Sequence, residues 1–130
     1  MARVPPERDE QREQRLAQLV AGADDEYERI SAWYGYLEEH VRFPFHATCT
    51  VAWPGSPLRW HEQVAVVDLA DVDDWEDQAW VTLGADRQGV DVPLSQLQPL
   101  AATDAATKQA LADWQYWVAR GYHFWTADDD

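Results

Sequence analysis

The residues best suited to chemistry lie in the acidic run DLADVDDWEDQ, residues 68 to 78. Its six carboxylates belong to Asp68, Asp71, Asp73, Asp74, Glu76 and Asp77. Like charges at this density repel one another, so the run is either a loop solvated by water or a place where a cation binds. Hard divalent cations such as Ca²⁺ take about six to eight oxygen ligands, which carboxylates on a bendable loop can supply. Trp75 in the middle of the run weakens the first alternative, because a purely solvated loop gains little from an indole.

The acidic run does not follow the pattern of an EF-hand. Counted from Asp71, position 5 is Trp75, where that loop needs a ligand, and position 6 is Glu76, where it needs glycine. Position 12 is Thr82, where the EF-hand needs glutamate. We therefore place the candidate ligands of the run by chemistry alone, on Asp71, Asp73, Asp74, Glu76 and Asp77.

Glu38 and Glu39 lie near the C-terminal end of a predicted helix, where the helix already carries partial negative charge and disfavours carboxylates. One explanation is an exposed, solvated helical face. The other is a cation shared with the acidic run, which would remove the penalty if the fold brings the two segments together.

The sequence offers little for catalysis. Cys49 lies in a strand pattern, where a thiol is usually a small core residue. The histidines show no metal-ligand spacing, and no glycine-rich phosphate loop is present. A pair of carboxylates can hydrolyse glycosides, but 130 residues leave little room for a substrate cleft. We expect a protein that is not an enzyme.

Composition limits the partners. Asp and Glu number 24 against 10 Lys and Arg, a net charge of −14, which argues against nucleic acid and against anionic lipid. Cations or a basic protein are the partners that this charge favours. The sequence shows neither a signal peptide nor an apolar run long enough to span a bilayer, so we expect a cytoplasmic protein.

The pattern predicts helices before and after a set of short strands. Helices are expected over 9–20, over 24–40 with Tyr27 on its apolar stripe, and from 103 to 120 with Val118 on its buried side. Between them the period changes to two, which predicts four or five strands, with segments at 45–53, 62–69, 78–84 and 87–94. We predict an α+β fold: a small SH3-like antiparallel β-barrel flanked by N-terminal helices and a C-terminal helix.

Three segments together resemble the CcbP family of small acidic prokaryotic calcium-binding proteins. They are WYGYLEEHVRFPFHATC at 33–49, VDVPLSQLQPL at 90–100 and TKQALADWQYWVARGYHF at 107–124. The resemblance implies a Ca²⁺-binding domain without EF-hands over 24–125, preceded by a partly helical extension, 1–23, and followed by an acidic tail, 126–130. It also adds Glu38, which matches the family's YLE element, to the candidate ligands.

The sequence therefore predicts an intracellular Ca²⁺ buffer or sensor that binds the ion through surface carboxylates. The alternative is an acidic interaction module that meets a basic protein without metal.

Overall fold

The computed structural model describes residues 7–51, 56–122 and 124. Its α-helices are α1, Glu10–Leu19; α2, Glu26–His40; and α3, Ala105–Ala119. Its strands are β1, Phe45–Cys49; β2, Gln63–Leu69; β3, Trp80–Leu83; β4, Asp91–Pro93; and β5, Leu97–Pro99. The predicted acidic tail, the first six residues of the predicted extension, and residues 52–53 of the first predicted strand lie outside the described residues.

Each helix begins at an aspartate that caps it. The side chains of Asp9, Asp25 and Asp104 accept hydrogen bonds from backbone N–H groups in the first turns of α1, α2 and α3. Such caps satisfy donors that have no partner within the helix. At the other end of α3, Gly121 has φ +85°, the left-handed geometry for which glycine is favoured. The predicted helix boundaries are confirmed to within two residues.

The five strands form one antiparallel sheet in the order β4-β3-β2-β1-β5. β1 pairs with both β2 and β5, so the last strand returns to the first. Within the described residues no ladder joins β4 to β5, and the sheet is therefore open at those two edges. The α+β class and the antiparallel sheet are confirmed, whereas closure into a barrel is not.

The helices and the sheet share one core, which is rich in tryptophan. Trp33 of α2 and Trp114 of α3 are fully buried, with ring centroids 5.0 Å apart in an edge-to-face arrangement. Cys49 is fully buried, as expected of a core thiol. No helix in the described part of the chain is long and apolar enough to span a membrane.

Two expected core positions are wrong. Tyr27 is 78% exposed and Val118 is 36% exposed. The buried stripe of α2 is centred on Trp33, with Ile30 and Leu37 beside it, which turns Tyr27 outward. On α3 the corresponding stripe includes Asp113, a charged residue, in place of Val118.

Candidate metal site

The acidic run connects β2 to β3 through a short, well-bonded turn. Asp71 caps a 3-10 helix, Val72–Asp74, and its Oδ1 accepts a hydrogen bond from the Asp73 backbone N–H at 2.9 Å. The Ala70 N–H donates to the Trp80 carbonyl at 2.9 Å and closes the base of the connection. The run is thus a defined loop between two strands, and it lacks the flanking helices of an EF-hand.

All six predicted ligands lie at the surface. The side chains of Glu38, Asp71, Asp73, Asp74, Glu76 and Asp77 belong to exposed residues. None of them takes part in an ion pair with an arginine, a lysine or a histidine of the described residues. No ion pair within the described residues therefore offsets their negative charge.

Trp75 holds the acidic run against α2. It is 2% exposed, and its ring lies 5.2 Å from the ring of Tyr34, measured between centroids. A ring pair at this distance contributes dispersion and burial, so it fixes one side of α2 on the loop. Tyr34 and Glu38 are four residues apart on α2 and share one helical face, which points Glu38 towards the same region.

Besides burial, three carboxylates raise the pKa of the Tyr34 phenol. Burial raises the pKa of Tyr34, and the negative charges of Glu38, Asp68 and Asp71 raise it further, because each disfavours a phenolate. Glu38 comes from α2, Asp68 from β2 and Asp71 from the loop, so three elements each bring a carboxylate within electrostatic range of one side chain. We call Glu38, Asp68 and Asp71 the acidic cluster.

The acidic cluster differs from the predicted ligand set. Of the six predicted ligands, Glu38 and Asp71 share Tyr34 as a neighbour, which supports the expectation that α2 and the run meet. Asp68 also belongs to the acidic cluster; it is one of the six carboxylates of the run but not one of the predicted ligands. Its signal was its place at the end of a strand, one residue before the buried Leu69.

The donor chemistry of the cluster fits Ca²⁺, but the ligands are not assembled. Carboxylate oxygens on an exposed loop are the hard ligands that this ion takes. Among the described residues, however, no three His, Cys, Asp or Glu side chains stand close enough to hold a metal ion. Binding at this place therefore requires the carboxylates to approach one another.

Comparison with known proteins gives the same ion. A family model for CcbP, described as calcium binding, matches residues 14–118. The chain resembles the crystal structure of Anabaena CcbP, with a TM-score of 0.78 and 32% identity over 94% of this chain and 98% of that one. It also resembles a structure described as a calcium-binding protein in the calcium-binding form, with a TM-score of 0.77, 33% identity and the same coverage. No similar protein is found among curated sequences.

Proposed function

Because the chain belongs to the CcbP calcium-binding family, we propose that it binds Ca²⁺ at the acidic cluster and serves the cytoplasm as a Ca²⁺ buffer or sensor. The predicted ion, Ca²⁺, is the ion of the family. The observation that carries the location is the contact of Tyr34 with Trp75, which holds α2 against the acidic run.

The physical basis of binding is the release of repulsion. Glu38, Asp68 and Asp71 carry three negative charges around one phenol without an arginine or lysine partner among the described residues. A divalent cation offsets that repulsion and replaces it with attraction that is weakly screened at contact distance. The chain's own residues supply oxygen donors from α2, β2 and the loop, and water and backbone carbonyls complete such a shell in other proteins.

The remaining predicted ligands form an outer group. Asp73, Asp74, Glu76 and Asp77 follow Asp71 in the same exposed loop. We propose that they raise the local Ca²⁺ concentration through their field and add ligands if the loop closes. The position of the run between two strands supports a site that is not an EF-hand.

Two finer structural predictions accompany this function. The return of β5 to β1 supports an SH3-like arrangement of the sheet. The division into an extension, 1–23, a single domain, 24–125, and a tail, 126–130, also remains our proposal. We keep the absence of catalysis as part of it, since the family is described by calcium binding alone.

A charge-matched pair of variants tests the site. The test variant replaces the acidic cluster: Glu38→Gln, Asp68→Asn and Asp71→Asn. The control removes the same three charges from exposed positions elsewhere: Asp24→Asn, Glu39→Gln and Asp86→Asn. Isothermal titration of Ca²⁺ into chelator-stripped protein in 0.15 M salt should show saturable binding for the wild type. The test variant should weaken Kd by at least about 100-fold, and the control by less than about threefold.

Three outcomes separate the claims. If the wild type gives no saturable heat, the proposed function is wrong. If the test variant binds like the control, Ca²⁺ binds elsewhere on the chain. If a variant of the outer group, Asp73→Asn with Asp74→Asn, Glu76→Gln and Asp77→Asn, loses as much affinity as the test variant, the outer residues are direct ligands.

Lanthanide luminescence provides a second, local measurement. Tb³⁺ bound at the cluster should be sensitised by Trp75, which packs on Tyr34 beside it. Trp75→Phe should remove most of the sensitised emission, whereas Trp60→Phe, at a tryptophan that is 65% exposed, should retain it. Ca²⁺ should displace the lanthanide. Equal emission from both variants would place the bound ion away from Trp75.

A further inference from the structure

A buried carboxylate that the calcium site does not use lies between all three helices. Asp113 of α3 is fully buried. Its two oxygens accept hydrogen bonds from Arg12 Nε at 2.8 Å, from Arg15 Nε at 3.0 Å and from the Tyr36 hydroxyl at 2.5 Å. A second bond from Arg15, through a terminal guanidinium nitrogen, measures 2.7 Å. We call these four residues the Asp113 clamp.

The rest of the attachment of α1 is also polar. Glu13 accepts hydrogen bonds from the hydroxyls of Tyr116, at 2.5 Å, and Tyr122, at 2.9 Å. The Asp9 backbone N–H donates to the Tyr116 hydroxyl oxygen at 3.0 Å. These partners belong to α3 and to the residues that follow it, so α1 is fastened to the α2–α3 face mainly by charge and hydrogen bonds.

Apolar burial contributes little to this attachment. Within α1, all of which is described, Leu16 is the one buried residue. The arginine side chains of the clamp remain partly exposed, at 27% and 35%, although the carboxylate they contact is not. When α1 leaves, its arginines return to water, and Asp113 gains water in their place.

The connection to α2 also allows α1 to move without the core. Residues 20–25 join the two helices, and Gly22 lies in this connection with φ +83°. α1 contributes two leucines to the hydrophobic core, the buried Leu16 and the partly buried Leu19. Segments with few buried apolar contacts are the ones that open separately from the global unfolding of a domain.

We propose that α1 opens independently of the rest of the fold and that the Asp113 carboxylate holds it in the closed position. Opening uncovers Asp113, Tyr36 and Tyr116 on the α2–α3 face and leaves the tryptophan core and the sheet in place. This inference does not depend on calcium binding.

Native-state hydrogen exchange on the full chain tests whether α1 opens on its own. In the wild type, amides of α1 should exchange at least about tenfold faster than amides of α3, because they open without global unfolding. Arg12→Gln with Arg15→Gln should accelerate exchange in α1 by at least a further tenfold or so and change α3 by less than about twofold. Asp113→Asn keeps the size of the side chain and should have the same selective effect.

Glu10→Gln is the matched control, since Glu10 lies on α1 but its side chain is 68% exposed and pairs with Arg8 and not with a residue of the clamp. It should leave α1 exchange within about threefold of the wild type. Equal exchange rates for α1 and α3 in the wild type would overturn the proposal. So would a parallel acceleration of both helices in the two clamp variants, because α1 would then open only when the whole domain unfolds.

Discussion

Two groups of carboxylates contact α2 on different sides, and the protein treats their charge in opposite ways. Tyr34 of α2 faces the acidic cluster, whose carboxylates are exposed and lack an arginine or lysine partner among the described residues. Tyr36, roughly 200° around the helix, donates to Asp113, which is buried between two arginines. Asp113 has the permanent cations of two arginines beside it, whereas we propose that an ion from solution takes that place at the acidic cluster.

Under the proposed function, only the acidic cluster of these two sites should respond to Ca²⁺. At the Asp113 clamp, four hydrogen bonds occupy the carboxylate, and a metal ion would have to displace arginines that are part of the chain. At the acidic cluster, no arginine or lysine of the described residues forms an ion pair with the carboxylates. A reversible ligand therefore gains most where the fold has left charge uncompensated.

The largest effect should follow from removing the clamp. Asp113→Ala takes away the acceptor of two arginines and of Tyr36, and we expect the free energy of unfolding to fall by about 2–3 kcal/mol. Urea unfolding followed by tryptophan fluorescence measures the loss. Asp73→Ala, in the exposed loop, should change stability by less than about 0.5 kcal/mol. Equal losses from the two substitutions would remove the distinction between the two groups of carboxylates.

Acid should weaken the same clamp, and the free energy of unfolding lost through its protonation should be no larger than the loss caused by Asp113→Ala. Burial raises the pKa of Asp113, but the hydrogen bonds from Arg15, Tyr36 and Arg12 and the charge of Arg15 outweigh it, so the net shift is downward. The unfolded chain therefore binds the proton more tightly than the native protein. The clamp's contribution is complete above the unfolded-state value of about 3.9 and is lost as the pH falls through the native value.

The groups that face Asp113 do not titrate in this range. An arginine guanidinium keeps its charge throughout this range, and burial together with the bond to Asp113 raises the pKa of Tyr36 to about 12. Urea midpoints at pH 7, 5 and 3 for the wild type and Asp113→Asn should show a difference at pH 7 and 5 that narrows at pH 3. A constant difference across the series would mean that Asp113 does not act as a carboxylate.

The sequence predicted the elements better than the contacts between them. Local signals fixed the helices, because the capping residues Asp25 and Asp104 and the terminal Gly121 act within a few residues of where they stand. The sequence predicts four or five strands and gives segments for four of them. The three-residue strand β5 is not among these segments, since so short a strand has little pattern of its own. It exists because it pairs with β1, which is distant in sequence.

The two carboxylate groups show the same limit. The sequence predicts that the acidic run and Glu38 meet only if the fold brings the two segments together, and it does not name Asp68 as a ligand. The reason is that proximity between α2, β2 and the loop depends on the tertiary structure. Asp113 is absent from the sequence prediction of α3, which names Val118 on the buried side. Its signal was a charged residue on the buried stripe of α3, beside Ala110, Trp114 and Trp117, which requires a charged or hydrogen-bonding partner from elsewhere.

The smallest effect has the opposite sign and tests the other half of the comparison. Glu38 lies in the last turn of α2, where a carboxylate opposes the helix dipole, and it adds to the repulsion around Tyr34. Without calcium, Glu38→Gln should therefore stabilise the protein by about 0.3–0.5 kcal/mol, whereas neutralising Asp113 destabilises it. With excess Ca²⁺ the order should reverse, because the wild type gains RT ln(1 + [L]/Kd) and the variant, with a weaker Kd, gains less. Thermal unfolding in chelator and in Ca²⁺ measures both differences.

Glu39→Gln is the control, because Glu39 lies in the same turn of α2 but does not belong to the acidic cluster. Its gain in stability in chelator should persist unchanged in Ca²⁺. A reversal for Glu39→Gln as well would show that Ca²⁺ binding depends on the total charge and not on the cluster.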